Sequence, residues 1–157
     1  MVSDSGYILD TNAYYGLTGN DENIQKKFNS ISSSKVHLCE IVIVEILRRR
    51  ISTIEKAIKD ATHGKSLVVV AYKGLLRDLD NIKRFKIANY DADADVIFES
   101  FSKKPKSPAV NDCRIAATAR RHGLKVVSRN YQHLSVLLRD NEIDDWSLSP
   151  NPLEVHP

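Results

Sequence analysis

A chain of 157 residues with 42% hydrophobic and 27% charged side chains can bury one sizeable core and is too apolar for a disordered segment. No window approaches the ~20 consecutive apolar residues of a membrane span, and the opening "MVSDSG" has no basic segment leading into an apolar one, so a cytoplasmic protein with no membrane partner is expected. The formal net charge is only +3, yet basic residues cluster at Arg48-Arg49-Arg50, at Lys83, Arg84 and Lys86, at Lys103, Lys104 and Lys106, and at Arg120-Arg121; such clusters are either a phosphate-binding face or solvated surface, and charge alone does not choose between them.

In chain order, Tyr7, Ile8 and Leu9 read as a short buried strand that stops on a carboxylate, Asp10. "NAYYGLTGN" suggests a helical turn ended by Gly16 and Gly19, and "DENIQKKFNSISSS" a helix capped by Asp21. A second apolar run, Val36 to Cys39, leads into the longest helical pattern, where Val44, Leu47, Ile51, Ile54 and Ile58 form one expected buried stripe that ends before Gly64. Ser66 can cap a further helix through Leu75, Leu76 and Leu79 to Ile82, and "FKIANYD" turns extended before "ADADVIFESF" resumes a helix. The proline-containing "SKKPKSP" is a loop.

Asn111 can cap the next helix, whose stripe is Ile115, Ala116 and Ala119, with Arg120, Arg121 and His122 at its negative end and Gly123 just past it. "LKVVS" is then a strand, "NYQHLSVLL" a short helix, "DDWSLS" a last edge strand and "PNPLEVHP" a tail. Strands alternating with helices indicate an α/β fold with a mostly parallel sheet covered on both faces, in one domain over 1–149 with a tail over 150–157. Cys39 and Cys113 lie in apolar segments and form no CxxC metal pattern, so both read as core.

Three acids stand out against this frame. In an open parallel sheet, ligands bind beyond the carboxyl ends of the strands, which is where Asp10 falls; as an N-cap or Asx turn it would need no further role. Glu45 is a lone charge in the apolar start of its helix, and could equally be a surface partner of Arg49 one turn on. Asp112 sits in the first turn of its helix, where the macrodipole favours a carboxylate. Converged at one rim, the three would suit a hard divalent cation and a phosphodiester.

"ILDTN", the isolated Glu of "IVIVEIL", the block "NDCRIAATARRHGLKVVSRN" and a closing segment with Trp146 resemble, over nearly the whole chain, a PIN domain of the VapC ribonuclease-toxin type. The resemblance implies a three-layer α/β/α sandwich with a central parallel sheet, cleavage of RNA that depends on Mg²⁺ or Mn²⁺, a cognate antitoxin that binds across the acidic rim, and a homodimer. It assigns the metal-holding acids to Asp10, Glu45 and Asp112, and the fourth motif to Ser128 and Asn130. Asn12 and Ser128 would orient carboxylates or water, and Arg48, Arg49, Arg50 and Arg129, nearest in sequence to the motifs, would hold the RNA backbone. The fourth motif departs from the family pattern, because "SRNYQHL" puts His133 where an Asp is expected and Leu134 where a Phe is. Neutral imidazole is a poor ligand for Mg²⁺ and a better one for Mn²⁺ or Zn²⁺, so either the metal preference shifts, Asn130 takes over or one ion suffices. The rival reading is a weak or inactive PIN module that binds RNA or protein.

Other patterns fail. "DADAD" imitates an EF-hand loop, but Val96 and Ser102 occupy the positions of its Gly and final Glu. Asn12 stands where an aspartyl phosphatase would need a second Asp, and no glycine-rich phosphate loop occurs.

Overall fold

Five short strands, β1 (Tyr7–Leu9), β2 (Val36–Leu38), β3 (Lys86–Ile87), β4 (Lys125–Val127) and β5 (Ile143–Asp144), pair in parallel in the order β3-β2-β1-β4-β5. The computed structural model describes residues 6–61 and 65–148. Parallel neighbours require crossover connections, supplied here by α1 (Thr11–Thr18) and α2 (Glu22–Asn29), by α3 (Glu40–Lys59) and α4 (Lys65–Ile82), and by α5 (Ala92–Ser102) and α6 (Val110–His122). A single turn, α7 (Tyr131–Leu134), precedes β5. The result is the three-layer α/β/α sandwich that the alternation of elements implies.

The central strands lie between helices on both faces, which is why they read as continuous apolar runs. Ile8, Leu9, Val36, Leu38, Val126 and Val127 are all fully buried or within 1% of it. Val42 and Ile46 of α3 and Ile115, Ala116 and Ala119 of α6 complete the same core. α6 stops where the sequence marks it: Gly123 adopts φ 66°, and the following Leu124 N–H returns to the Ala119 carbonyl at 2.8 Å.

The strand order places the site. From β1 the chain steps outward through β2 to β3, then crosses back to β4 on the other side of β1. The order therefore reverses between β1 and β4, and the crevice at such a switch point opens at the carboxyl ends of those two strands. Asp10 and Ser128 are the residues that follow them. Their backbones continue the ladder, with Asp10 N–H donating to Val127 at 3.1 Å and Ser128 N–H to Asp144 at 3.0 Å.

Several boundaries differ from expectation. α1 runs through Gly16 and is capped by Gly19, α4 begins before Ser66, and α6 begins at Val110 so that Asn111 lies inside its first turn and caps nothing. The last strand is Ile143–Asp144 rather than "DDWSLS"; Trp146 follows in a turn, buried edge-on against the Tyr7 ring at 5.1 Å. Its indole N–H donates to Asp144 at 3.1 Å, which gives the turn a reason to fold inward. Gly64 and the expected tail lie outside the described residues.

The largest correction concerns α3. Val42, Ile46 and Ile54 are its buried residues, whereas Val44, Ile51 and Ile58 of the expected stripe are 44%, 49% and 51% exposed. α3 is apolar on two faces, so its periodicity supports two rows, and the sheet selects the row spaced by four. That row includes Arg50, whose guanidinium pairs at 2.7 Å with buried Asp78 of α4. Gly74 makes the approach possible, since a Cβ there would lie 2.3 Å from the Arg50 guanidinium. The outward residues of α3, and Tyr72, Leu76 and Leu79 of α4, are exposed apolar side chains. Ile46→Ala is expected to cost about 2–4 kcal/mol of stability and Ile51→Ala less than about 0.5 kcal/mol; urea denaturation giving equal losses would show that α3 packs by the other row.

Candidate metal centre

Asp10 does two things at once. As N-cap of α1 its Oδ1 accepts the Ala13 N–H at 2.7 Å, and its carboxylate also accepts the Ser128 hydroxyl. Ser128 Oγ is held in turn by the Asn130 N–H at 2.9 Å. The chain of donors runs from the start of α7 through the end of β4 to the end of β1, and it fixes the carboxylate at the switch point. Burial pushes the Asp10 carboxyl above the usual range, opposed by the Ser128 and Ala13 hydrogen bonds and reinforced by the charges of Asp112 and Glu45.

Glu45 lies in the second turn of α3, half-buried, and does not pair with Arg49. Its Oε1 accepts the Asn111 side-chain amide at 2.7 Å and its Oε2 the Thr11 hydroxyl. Both donors are chain neighbours of the other two acids, Thr11 following Asp10 and Asn111 preceding Asp112. Asp112 is half-buried in the first turn of α6. Burial pushes its carboxyl up and Glu45 pushes it further, while nearby His133 acts in the opposite direction. Every pair among the three acids is therefore coupled by charge.

Among the described residues, no three His, Cys, Asp or Glu side chains lie close enough to share one metal ion. The donor chemistry nevertheless suits a hard cation. Asp10 and Asp112 offer oxygen ligands whose ionised forms are destabilised by burial and by each other, and a divalent charge would reverse that. Glu45 beside them has both oxygens engaged, one by Asn111 and the other by Thr11.

The supporting residues divide. Ser128 and Asn130 join the Asp10 network, and exposed His133 stands within electrostatic reach of Asp112. Asn12 is exposed in the first turn of α1 and makes no hydrogen bond among the described residues. Of the four arginines, Arg50 is committed to Asp78, Arg129 to Asp21, and Arg49 stacks 4.3 Å over the Tyr15 ring. Arg48 has no partner among the described residues and lies on a groove lined also by Asn111 and Arg114. Thr11 and Asn111 were the residues that sequence reasoning missed in these roles. Their one signal was adjacency to an acid in "DT" and "ND".

The PIN domain family model matches residues 7–136. The chain belongs to the PIN domain family. Solved structures with the same fold include a FitAB complex bound to a DNA fragment (TM-score 0.65, 20% identity, 93% of this chain and 99% of that one) and FitAcB from Neisseria gonorrhoeae (TM-score 0.60, 22% identity, 83% and 92%). A third is DNA-bound VapBC from Salmonella typhimurium (TM-score 0.63, 24% identity, 90% and 98%). A comparison with curated proteins finds no match in sequence. The family match covers Asp10, Glu45, Asp112 and the Ser128–His133 segment of this PIN domain.

The raised carboxyls make a stability prediction. An acid whose pKa is raised by folding stabilises the fold only below its unfolded value, and that contribution is lost as pH rises through the folded pKa. At neutral pH the ionised Asp10 and Asp112 therefore cost stability. Asp112→Asn is expected to raise the Tm at pH 7 by a few degrees, on a scale of roughly 2–4 °C per kcal/mol for a domain of this size. The gain should fade toward pH 3, and added Mg²⁺ should raise the Tm of the wild type but not of the variant. Circular-dichroism melts across that range check it; a variant no more stable than wild type at pH 7 would contradict the assigned repulsion.

Proposed function

We propose that this PIN domain is a metal-dependent endoribonuclease that hydrolyses RNA phosphodiester bonds, with Mg²⁺ or Mn²⁺ as cofactor, and that it is the toxin of a toxin–antitoxin pair. The observation that supports the reading is that Asp10, at the carboxyl end of β1, Glu45 and Asp112 lie within electrostatic reach of one another, with Thr11 and Asn111, the chain neighbours of two of them, bonded to the third. Capping and tethering account for Asp10 and Glu45 separately, but the raised carboxyls of Asp10 and Asp112 beside a third acid would be relieved by a cation.

Asp10 and Asp112 would hold the ion, and a bound Mg²⁺ or Mn²⁺ supplies Lewis acidity toward phosphate and water oxygens and offsets the negative charge of the rim. Ser128 orients Asp10, while Thr11 and Asn111 orient Glu45. His133 is exposed beside Asp112, where an imidazole can pass a proton to the leaving oxygen in place of the acid that the family's fourth motif usually carries. The fold neighbours that are toxin–antitoxin assemblies support a cognate antitoxin across the acidic rim, and the exposed apolar side chains of α3 and α4 support burial against protein, in that complex or in a homodimer. The alternative, a PIN module that binds without cutting, is favoured by the absence of a closed three-ligand group among the described residues.

Purified protein is expected to cut total cellular RNA into discrete fragments in Mg²⁺ or Mn²⁺, to stop in EDTA, and to lose at least about 100-fold in rate on Asp10→Asn. That variant keeps an N-cap side chain, so its fold is preserved. Equal behaviour of wild type and variant in every metal would leave the binding module as the better reading. Competition with a matched DNA strand tests the preference for RNA.

A further inference from the structure

Beside the acids, on the far side of Asn111, runs a groove of about 460 Å³ lined by Glu40, Ile41, Val44, Arg48, Tyr90 and Arg114, with Asn111 as the wall it shares with the acid rim. Its volume falls within the range of about 300–1,000 Å³ typical of small-molecule sites. We propose that this groove binds the nucleotide next to the scissile phosphate, with Arg48 and Arg114 on the phosphate and the Tyr90 ring and apolar floor against the base. The assignment rests on the ribonuclease reading and extends it to Tyr90 and Arg114, to which sequence reasoning assigned no part in binding.

The residues argue for this occupant in sequence. Ile41, Val44 and Arg48 recur at intervals of three and four on α3, so one face of the helix supplies an apolar floor and then a cation. Asn111 and Arg114 are likewise one turn apart on α6. Arg114 is prearranged, its guanidinium 4.7 Å over the Phe98 ring and close to the Tyr90 phenol, whereas Arg48 is exposed and without a partner among the described residues. The acids that face the groove are already engaged: Glu40 accepts the Tyr90 N–H at 2.8 Å, and the Tyr90 hydroxyl donates to Asp95 at 2.5 Å. Guanidinium groups bind phosphate bidentately, and aromatic rings accept bases of any sequence. Asn111 joins the two halves physically, since its amide holds Glu45 on one side while its helix turn forms the groove on the other. A strand whose phosphate lies at the acids has its next nucleotide here.

The test uses the full chain carrying Asp112→Asn as a non-cleaving background, with a fluorescein-labelled 12-nucleotide single-stranded RNA read by anisotropy in Mg²⁺. Arg48→Ala and Arg114→Ala are each expected to weaken binding about 5- to 10-fold and to lower the slope of log affinity against log salt by about 0.7. Arg77→Ala, an exposed arginine of α4 away from the groove, should match the background. In the cleavage-competent chain, Arg48→Ala should raise KM while kcat stays within about two-fold. Arg114→Lys keeps a cation and a stem over Phe98, so a loss of affinity there with an unchanged melting curve separates recognition from misfolding. If the background protein binds and the wild type cuts, but both arginine variants behave as their parents, the groove assignment alone is overturned. If neither protein engages RNA at all, the ribonuclease reading falls and the groove assignment with it. Weakened binding of a labelled 12-residue poly-glutamate peptide with unchanged RNA affinity would reassign the groove to a protein ligand.

Discussion

The constraint on which this fold turns is the repulsion among three carboxylates held at the one place where the sheet reverses its strand order. A group of like charges with Asp10 buried among apolar strands is unfavourable unless each has hydrogen-bond donors and the group has a counter-charge. The donors come from several elements. Ala13 and Ser128 serve Asp10, and Thr11 and Asn111 serve Glu45. Because Thr11 opens α1 and Asn111 lies in the first turn of α6, the Glu45 clamp ties α1, α3 and α6 together across the mouth of the crevice. The carboxylate is thus a tether as well as a charge.

How much of this was legible follows from which physical signals are local. Parallel strands buried on both faces announce themselves as short apolar runs, and α6 carries its end in its own residues, basic side chains and then a left-handed glycine. Asp10 and Glu45 were visible because each interrupts an apolar pattern, and Asp112 because it falls in the first turn of its helix. Boundaries decided by tertiary partners were not visible. Asn111 looks like an N-cap in sequence, yet its amide is taken by a residue on another helix, and the helix begins without it. In α3, two apolar rows compete, and the choice between them is made by the sheet and by Asp78 on α4, neither of which leaves a mark in α3 itself.

The arginines show the same limit. Proximity in sequence to motif residues grouped Arg48, Arg49 and Arg50 as one basic run, but consecutive helical residues point about 100° apart, so they meet three different environments: an open groove, an aromatic ring and a buried aspartate. A cluster of charge in the sequence is thereby separated by helical geometry into a groove-lining residue, a packing contact and a structural pair. Arg114 is the converse, an isolated arginine brought beside Arg48 by the approach of α6 to α3.

His133 is where these strands of reasoning meet. A fourth carboxylate at its position would add to a rim already burdened by repulsion, whereas an imidazole near Asp112 favours that group's ionised form. The substitution therefore relieves the electrostatic cost at Asp112, which among the described residues accepts no hydroxyl like the one Ser128 gives Asp10. It also changes what the rim would offer a cation, one carboxylate fewer and one imidazole more. A rim of three acids and an imidazole is thus less self-repelling than one of four acids, and the departure from the family pattern is compatible with the proposed site.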